Sequence, residues 1–166
     1  MNILSLGLTV TAVSALTFTS YKFVDYIVSP YREYSYITKQ SNAIVDAMRM
    51  NMSDRVNKMR CMEKPNNRTI ADLKSESYLK PDFKSEYRIT TDYLVNHAQV
   101  QYTVHFTALN DTDSKRLQQA TGQFDRGVTF DGKTNTLTVE SNVDNWLENP
   151  NELQRYDYST DCFVPL

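Results

Sequence analysis

Downstream of residue 36 the apolar and small positions fall at steps of three and four: Ile37, Ser41, Ile44, Val45, Met48, Met52, Val56 and Met59. Lys39, Asp46, Arg49, Asp54 and Lys58 occupy the opposite side, so the stretch predicts an amphipathic helix with its stripe in a core. Methionine suits such a stripe because its flexible thioether fills irregular gaps. Upstream, Met1 to Tyr21 carries no charged side chain. Phe23, Val24, Ile27 and Val28 join it to the stripe with one proline, Pro30, and no glycine between Gly7 and Cys61. One long helix across both stretches is the simplest reading. Pro30 lacks an amide donor and crowds the carbonyl four residues back, which predicts a kink or local opening near residues 26 to 29.

The helix is predicted to end near Cys61, because Glu63-Lys64-Pro65-Asn66-Asn67-Arg68 holds turn residues and no periodicity. Residues 69 to 86 favour no element, and Pro81 interrupts them. Tyr87 to Val95 and Gln99 to Thr107 alternate with β-branched and aromatic residues, as strands do. Asn110 to Gly122 has capping residues at its front, helix formers in its middle and a glycine at its end, and reads as a short helix. Gly127 to Val139 holds two alternating runs around Asp131-Gly132, a hairpin signal. The expected architecture is α+β: a hydrophobic helix at 1–21, its amphipathic continuation at 22–60, and a head at 61–166 built on a small antiparallel sheet with a short helix.

A helix over the uncharged segment is about 30 Å long, enough for a bilayer core. Its hydroxyls, from Ser5 to Ser20, suit helix against helix contact better than lipid. Three readings compete: a cleaved secretory signal, a permanent anchor, and a helix held in a membrane before packing among copies of itself. No Lys or Arg precedes Lys22, which disfavours the secretory signal. A permanent anchor oriented by Lys22 and Arg32 places the body in the cytoplasm. A paired set of cysteines requires the opposite orientation, and then Met1 reads as a mature end from which a basic leader has been removed. Tyr21, Tyr26, Tyr31, Tyr34 and Tyr36 flank the segment either as an interfacial aromatic belt or as packing residues.

Composition narrows the function. The 166 residues hold 18 Lys+Arg against 20 Asp+Glu, a net of −2, with eleven Tyr and seven Phe. That is too apolar for a disordered chain and too neutral for nucleic-acid binding through bulk charge. Two cysteines and two histidines leave little for a closed metal site. His97 and His105 have no common ligand spacing, and Asp111, Asp113, Asp125 and Asp131 lack the calcium-loop pattern and read as caps and turns. No phosphate loop, HExxH or nucleophile elbow is present, so neither catalysis nor a cofactor is expected. Asn51-Met-Ser, Asn67-Arg-Thr and Asn110-Asp-Thr match the glycosylation acceptor pattern at a frequency chance explains. Cys61 and Cys162 flank the head and are expected to pair, clamping Trp146, Tyr156 and Tyr158 to the end of the helix in an oxidising compartment; two separate buried thiols are the alternative.

The uncharged helix, its amphipathic continuation to about residue 59 and a head with its last cysteine near the terminus resemble a type IV pilin or pseudopilin of the type IVb or minor kind. Val100 to Leu117 is similar to the strand, loop and helix of many such subunits, and Val128 to Val139 to the hairpin that follows. The resemblance implies a structural subunit without turnover, assembled through Met1, Leu4, Ser5, Leu8, Ala12, Leu16, Phe18, Phe23 and Pro30 of the N-terminal helix. Its partners would be other filament subunits and the inner membrane, with an extracytoplasmic head and then a surface filament. Pilins carry a glycine-ended basic leader and a glutamate at the fifth mature position. Here Ser5 stands there, and processing after Gly7 would put Ala12 in its place. The departure either sets the chain apart from the family or marks a tip or initiating subunit, which has no neighbour above it to pair with. The alternative from another class is a single-pass anchored domain, extracytoplasmic or of a virion envelope, that binds a partner or ligand.

Overall fold

The computed structural model describes residues 3–147 and 154–164, with side chains described from residue 28 on. Helix α1 runs from Ile3 to Met59. Ile37, Ser41, Ile44, Val45, Met48, Met52 and Val56 are buried as their spacing predicts, and Ala47 and Asn51 are buried with them. Met59 is a correction to that stripe, being 45 % exposed. The helix stops there and Arg60 takes a φ of 60°, which turns the chain off the axis. Residues 26 to 29, where Pro30 leads one to expect a kink or local opening, are helical, and Pro30 itself lies inside α1.

Among the described residues no helix is long and apolar enough to cross a membrane. The uncharged stretch from Met1 to Tyr21, expected as a membrane-length helix, is helical backbone from Ile3, and its side chains lie outside the described residues. Part of the tyrosine set belongs to the head. Tyr34 packs edge-on against Phe124 at 4.6 Å, and the Tyr36 hydroxyl accepts from Glu86 N. Tyr31 is exposed.

The segment without a predicted element holds α2, Ile70–Ser75. Thr69 caps it by accepting from Asp72 N while Asp72 accepts from Thr69 N, a reciprocal capping box. Strands β1 (Arg88–Asn96) and β2 (Gln99–Thr107) pair antiparallel, with Thr90 opposite His105. Helix α3 (Asp111–Thr121) is capped by Asn110, and Gly122 at its end keeps a right-handed φ of −67°. Strands β3 (Val128–Asp131) and β4 (Thr136–Glu140) form the hairpin, giving the order β1-β2-β4-β3. Its turn spans four residues rather than closing tightly at Asp131-Gly132. The Asp131 carboxylate accepts from Lys133 N and the Thr134 hydroxyl, and Asn135 takes the positive φ.

Alternation decides the faces of the sheet. Val100, Tyr102, Val104 and Phe106 of β2 are fully buried toward α1. Residues between them, including His105, lie on the other face, where His105 Nδ1 meets Thr138 Oγ1 at 2.9 Å. Helix α3 packs beside α1 on the inner face, contacting α1, β3 and β4. Among the described residues three two-residue strands follow: β5 (Asp144–Asn145) beside β2, and a separate pair, β6 (Tyr156–Asp157) with β7 (Cys162–Phe163).

Candidate functional site

The end of α1, the β1–β2 turn and the chain tail meet at one end of the head. Cys61 and Cys162 form a disulfide across 101 residues. Backbone bonds run beside it, from Met62 N to Asp161 O and from Phe163 N to Arg60 O. The tail pair is thereby stitched to the residues that follow α1, and its Tyr156 is buried.

Asp161 is the polar centre of this region. One carboxylate oxygen meets His97 Nδ1 at 2.8 Å and accepts from the Tyr156 hydroxyl at 2.9 Å. These bonds, from His97 first and Tyr156 second, hold the Asp161 carboxyl below its ordinary range. Burial, and then the bond to Asp161, push the Tyr156 phenol up. His97 and Asp161 both have left-handed backbones, with φ of 50° and 53°. Non-glycine residues rarely adopt that region, and a short polar side chain that bonds nearby makes it tolerable. Tyr158 stands edge-on between His97 at 5.8 Å and Tyr156 at 5.0 Å and remains 55 % exposed.

A cleft opens between the turn and the tail, lined by Asn96, His97, Gln99, Asn145, Leu147 and Tyr158. Trp146 N donates to Ala98 O and Asn145 Oδ1 accepts from Leu147 N, which hold the β5 side of the cleft in place. A second cleft includes Asn57, Arg60, Trp146 and Arg155 in its lining. Arg155 donates to Val164 O through Nε and Nη2, so its guanidinium fastens the tail.

The residues singled out in the sequence fall in several places. Cys61 and Cys162 come together. Leu4, Ser5, Leu8, Ala12, Leu16, Phe18 and Phe23 lie on the backbone of α1, and their side chains, like all of Met1, lie outside the described residues. Pro30 is half-buried within α1. His97 and His105 are far apart in role, the first in the turn and the second on the open sheet face. Among the described residues no three His, Cys, Asp or Glu side chains are placed to hold a metal ion. Asn51 is buried, with its amide between Glu76 and Tyr93, which removes it as a glycosylation acceptor.

Sequence reasoning missed Asn96, Gln99, Asn145 and Asp161. A signal existed for the turn, because Asn96-His97 sits between two alternating runs where a tight connection needs residues that tolerate positive φ. Nothing local marks Asp161 as its partner, 64 residues away. The chain matches no protein-family model and no curated protein, and no solved structure matches it.

Proposed function

We propose that this chain is a structural, non-catalytic subunit of a bacterial envelope filament, pilin-like and minor or at the tip. The supporting observation is the spine. A single helix of 57 residues, on the order of 85 Å long, makes its first described side-chain contacts with the head at Glu33 and Tyr34. Its far end is fixed to the tail by the disulfide. In this reading the segment from Met1 to Tyr21 first resides in the inner membrane and then packs against its neighbours, the helix using Met1, Leu4, Ser5, Leu8, Ala12, Leu16, Phe18, Phe23 and Pro30. The head is extracytoplasmic, in keeping with the disulfide, and the end bearing Cys61 points away from the assembling helices.

The test is fractionation of the native host. Filaments sheared from the surface are expected to carry the head, detected by an antibody to it, and Ala12→Arg is expected to abolish incorporation while the Cys61–Cys162 bond still forms. Head protein found only in the membrane fraction, with no filament that labels, would sink the reading and leave the anchored, partner-binding domain in its place.

A further inference from the structure

The cleft between the β1–β2 turn and the tail has a chemistry that assembly through α1 does not use. Three of its lining residues, Asn96, Gln99 and Asn145, carry primary amides, each with paired donors and an acceptor that match a hydroxyl group. Asn96 and Gln99 are exposed. The Asn145 oxygen is engaged by Leu147 N, which orients its NH2 group as a donor. Tyr158 adds an aromatic ring held edge-on by Tyr156 and His97, with more than half of its surface open. No Lys, Arg, Asp or Glu is among the described lining residues, and the imidazole of His97 is already tied through Nδ1 to Asp161.

That combination selects a class of ligand. An anion or cation requires an opposite charge to replace its hydration, and the described lining holds no Lys, Arg, Asp or Glu to supply one, whereas the neighbouring cleft has Arg60 and Arg155. A wholly apolar ligand would cover the Asn96 and Gln99 amides and the Asn145 NH2 group without offering them a hydrogen bond. A neutral polyhydroxylated ring satisfies both conditions, with hydroxyls on the amides and its C–H face on the tyrosine. The space of about 280 Å³ accommodates a sugar unit while leaving an open side for a chain to continue.

We infer that the cleft formed by Asn96, Gln99, Asn145 and Tyr158 binds a neutral saccharide unit. The binding belongs to the head and does not rest on filament assembly, so the test is made on the dispersed full chain. In dodecylphosphocholine micelles, which carry no sugar headgroup, the protein is titrated with the methyl glycosides of glucose, galactose, mannose and N-acetylglucosamine. Glucuronic acid and glucosamine serve as charged comparisons. The readout is the side-chain NH2 signals of Asn96, Gln99 and Asn145 by nuclear magnetic resonance.

At least one neutral glycoside is expected to shift these signals saturably, with a dissociation constant on the order of a millimolar. Gln99→Ala and Tyr158→Ala are each expected to weaken it about tenfold or more, and Lys84→Ala, outside the cleft, to leave it unchanged. Gln99→Ala guards against a loosened tail in Tyr158→Ala, because Gln99 is exposed at the start of β2. Binding by none of the four neutral glycosides would overturn the inference. So would tighter binding of either charged sugar, or unchanged affinity in both cleft variants.

Discussion

Asn51 shows how a single polar side chain serves the core. It is 2 % exposed, donates to Glu76 Oε2 at 3.2 Å and accepts from the Tyr93 hydroxyl at 3.3 Å, so it joins α1 to the C-cap of α2 and to β1. Asn51→Ala removes both bonds and leaves the Tyr93 hydroxyl buried without that partner. The expected loss is about 1 to 3 kcal/mol, read from the urea unfolding midpoint. Asp161 makes a different contribution, because its carboxyl titrates lower in the folded protein than in the unfolded chain. In the acid range the unfolded state then binds more protons than the native state. Stability from this group is complete above the ordinary carboxylate range and is lost as pH falls through the lowered folded value. Asp161→Asn is therefore expected to flatten the acid limb of stability, measured as urea midpoints between about pH 2 and about pH 6. Asp72, Asp131 and Asp157 are lowered as well, so part of the limb persists in the variant. An unchanged limb would mean that the His97–Asp161 contact does not hold in solution. At Gly127, φ is +71° and an added Cβ would lie 3.1 Å from Glu140 O. Gly127→Ala is expected to cost about 1 to 2 kcal/mol, in the same unfolding measurement, through both strain and crowding at the start of β3.

At the scale of elements, the disulfide decides how the tail is held. It closes a loop with a sequence separation of 101, for which chain entropy gives about 4 to 5 kcal/mol. Replacing both cysteines by serine is expected to lower stability by up to about that amount. Hydrogen exchange should show where the loss falls, with the Met62 and Phe163 amides losing protection before those of β2, since they form the bonds beside the bridge. What could be read beforehand follows from element length and locality. The nine-residue strands β1 and β2 each display several periods of alternation, and the stripe on α1 repeats from Ile37 to Val56. Strands β5, β6 and β7 have two residues each, too few for any period. Helix α2, with six residues, escaped for the same reason, although Thr69 and Asp72 at capping-box spacing mark its start. Met59 was misplaced because periodicity says nothing about where a helix stops. The cleft was the least legible part: Asn96, Gln99 and Asn145 come from two segments whose approach depends on Trp146 N meeting Ala98 O.

For the whole molecule, the decisive division lies along α1 rather than between domains of the sequence. Ile37, Ser41, Ile44 and Val45 are built into the core of the head, and Glu33 and Tyr34 touch Tyr87 and Phe124 at its near edge. A chain beginning at residue 28 retains all of these contacts, so its thermal unfolding is expected to match that of the full chain. A chain beginning at residue 46 loses the upper part of the stripe. Each large aliphatic side chain removed from the core costs about 2 to 5 kcal/mol, and Ile37, Ile44 and Val45 together exceed a typical domain's reserve of about 5 to 15 kcal/mol or come close to it. That variant is expected to lack a cooperative transition. The pair of truncations also bears on assembly, since a filament subunit must keep its head folded while its N-terminal segment exchanges membrane for neighbouring helices. If removal of residues 1–27 unfolded the head, the two halves of the spine would be energetically one body. The exchange proposed for the N-terminal half would then carry the head's stability with it, and a permanently anchored domain would be the better account of the chain.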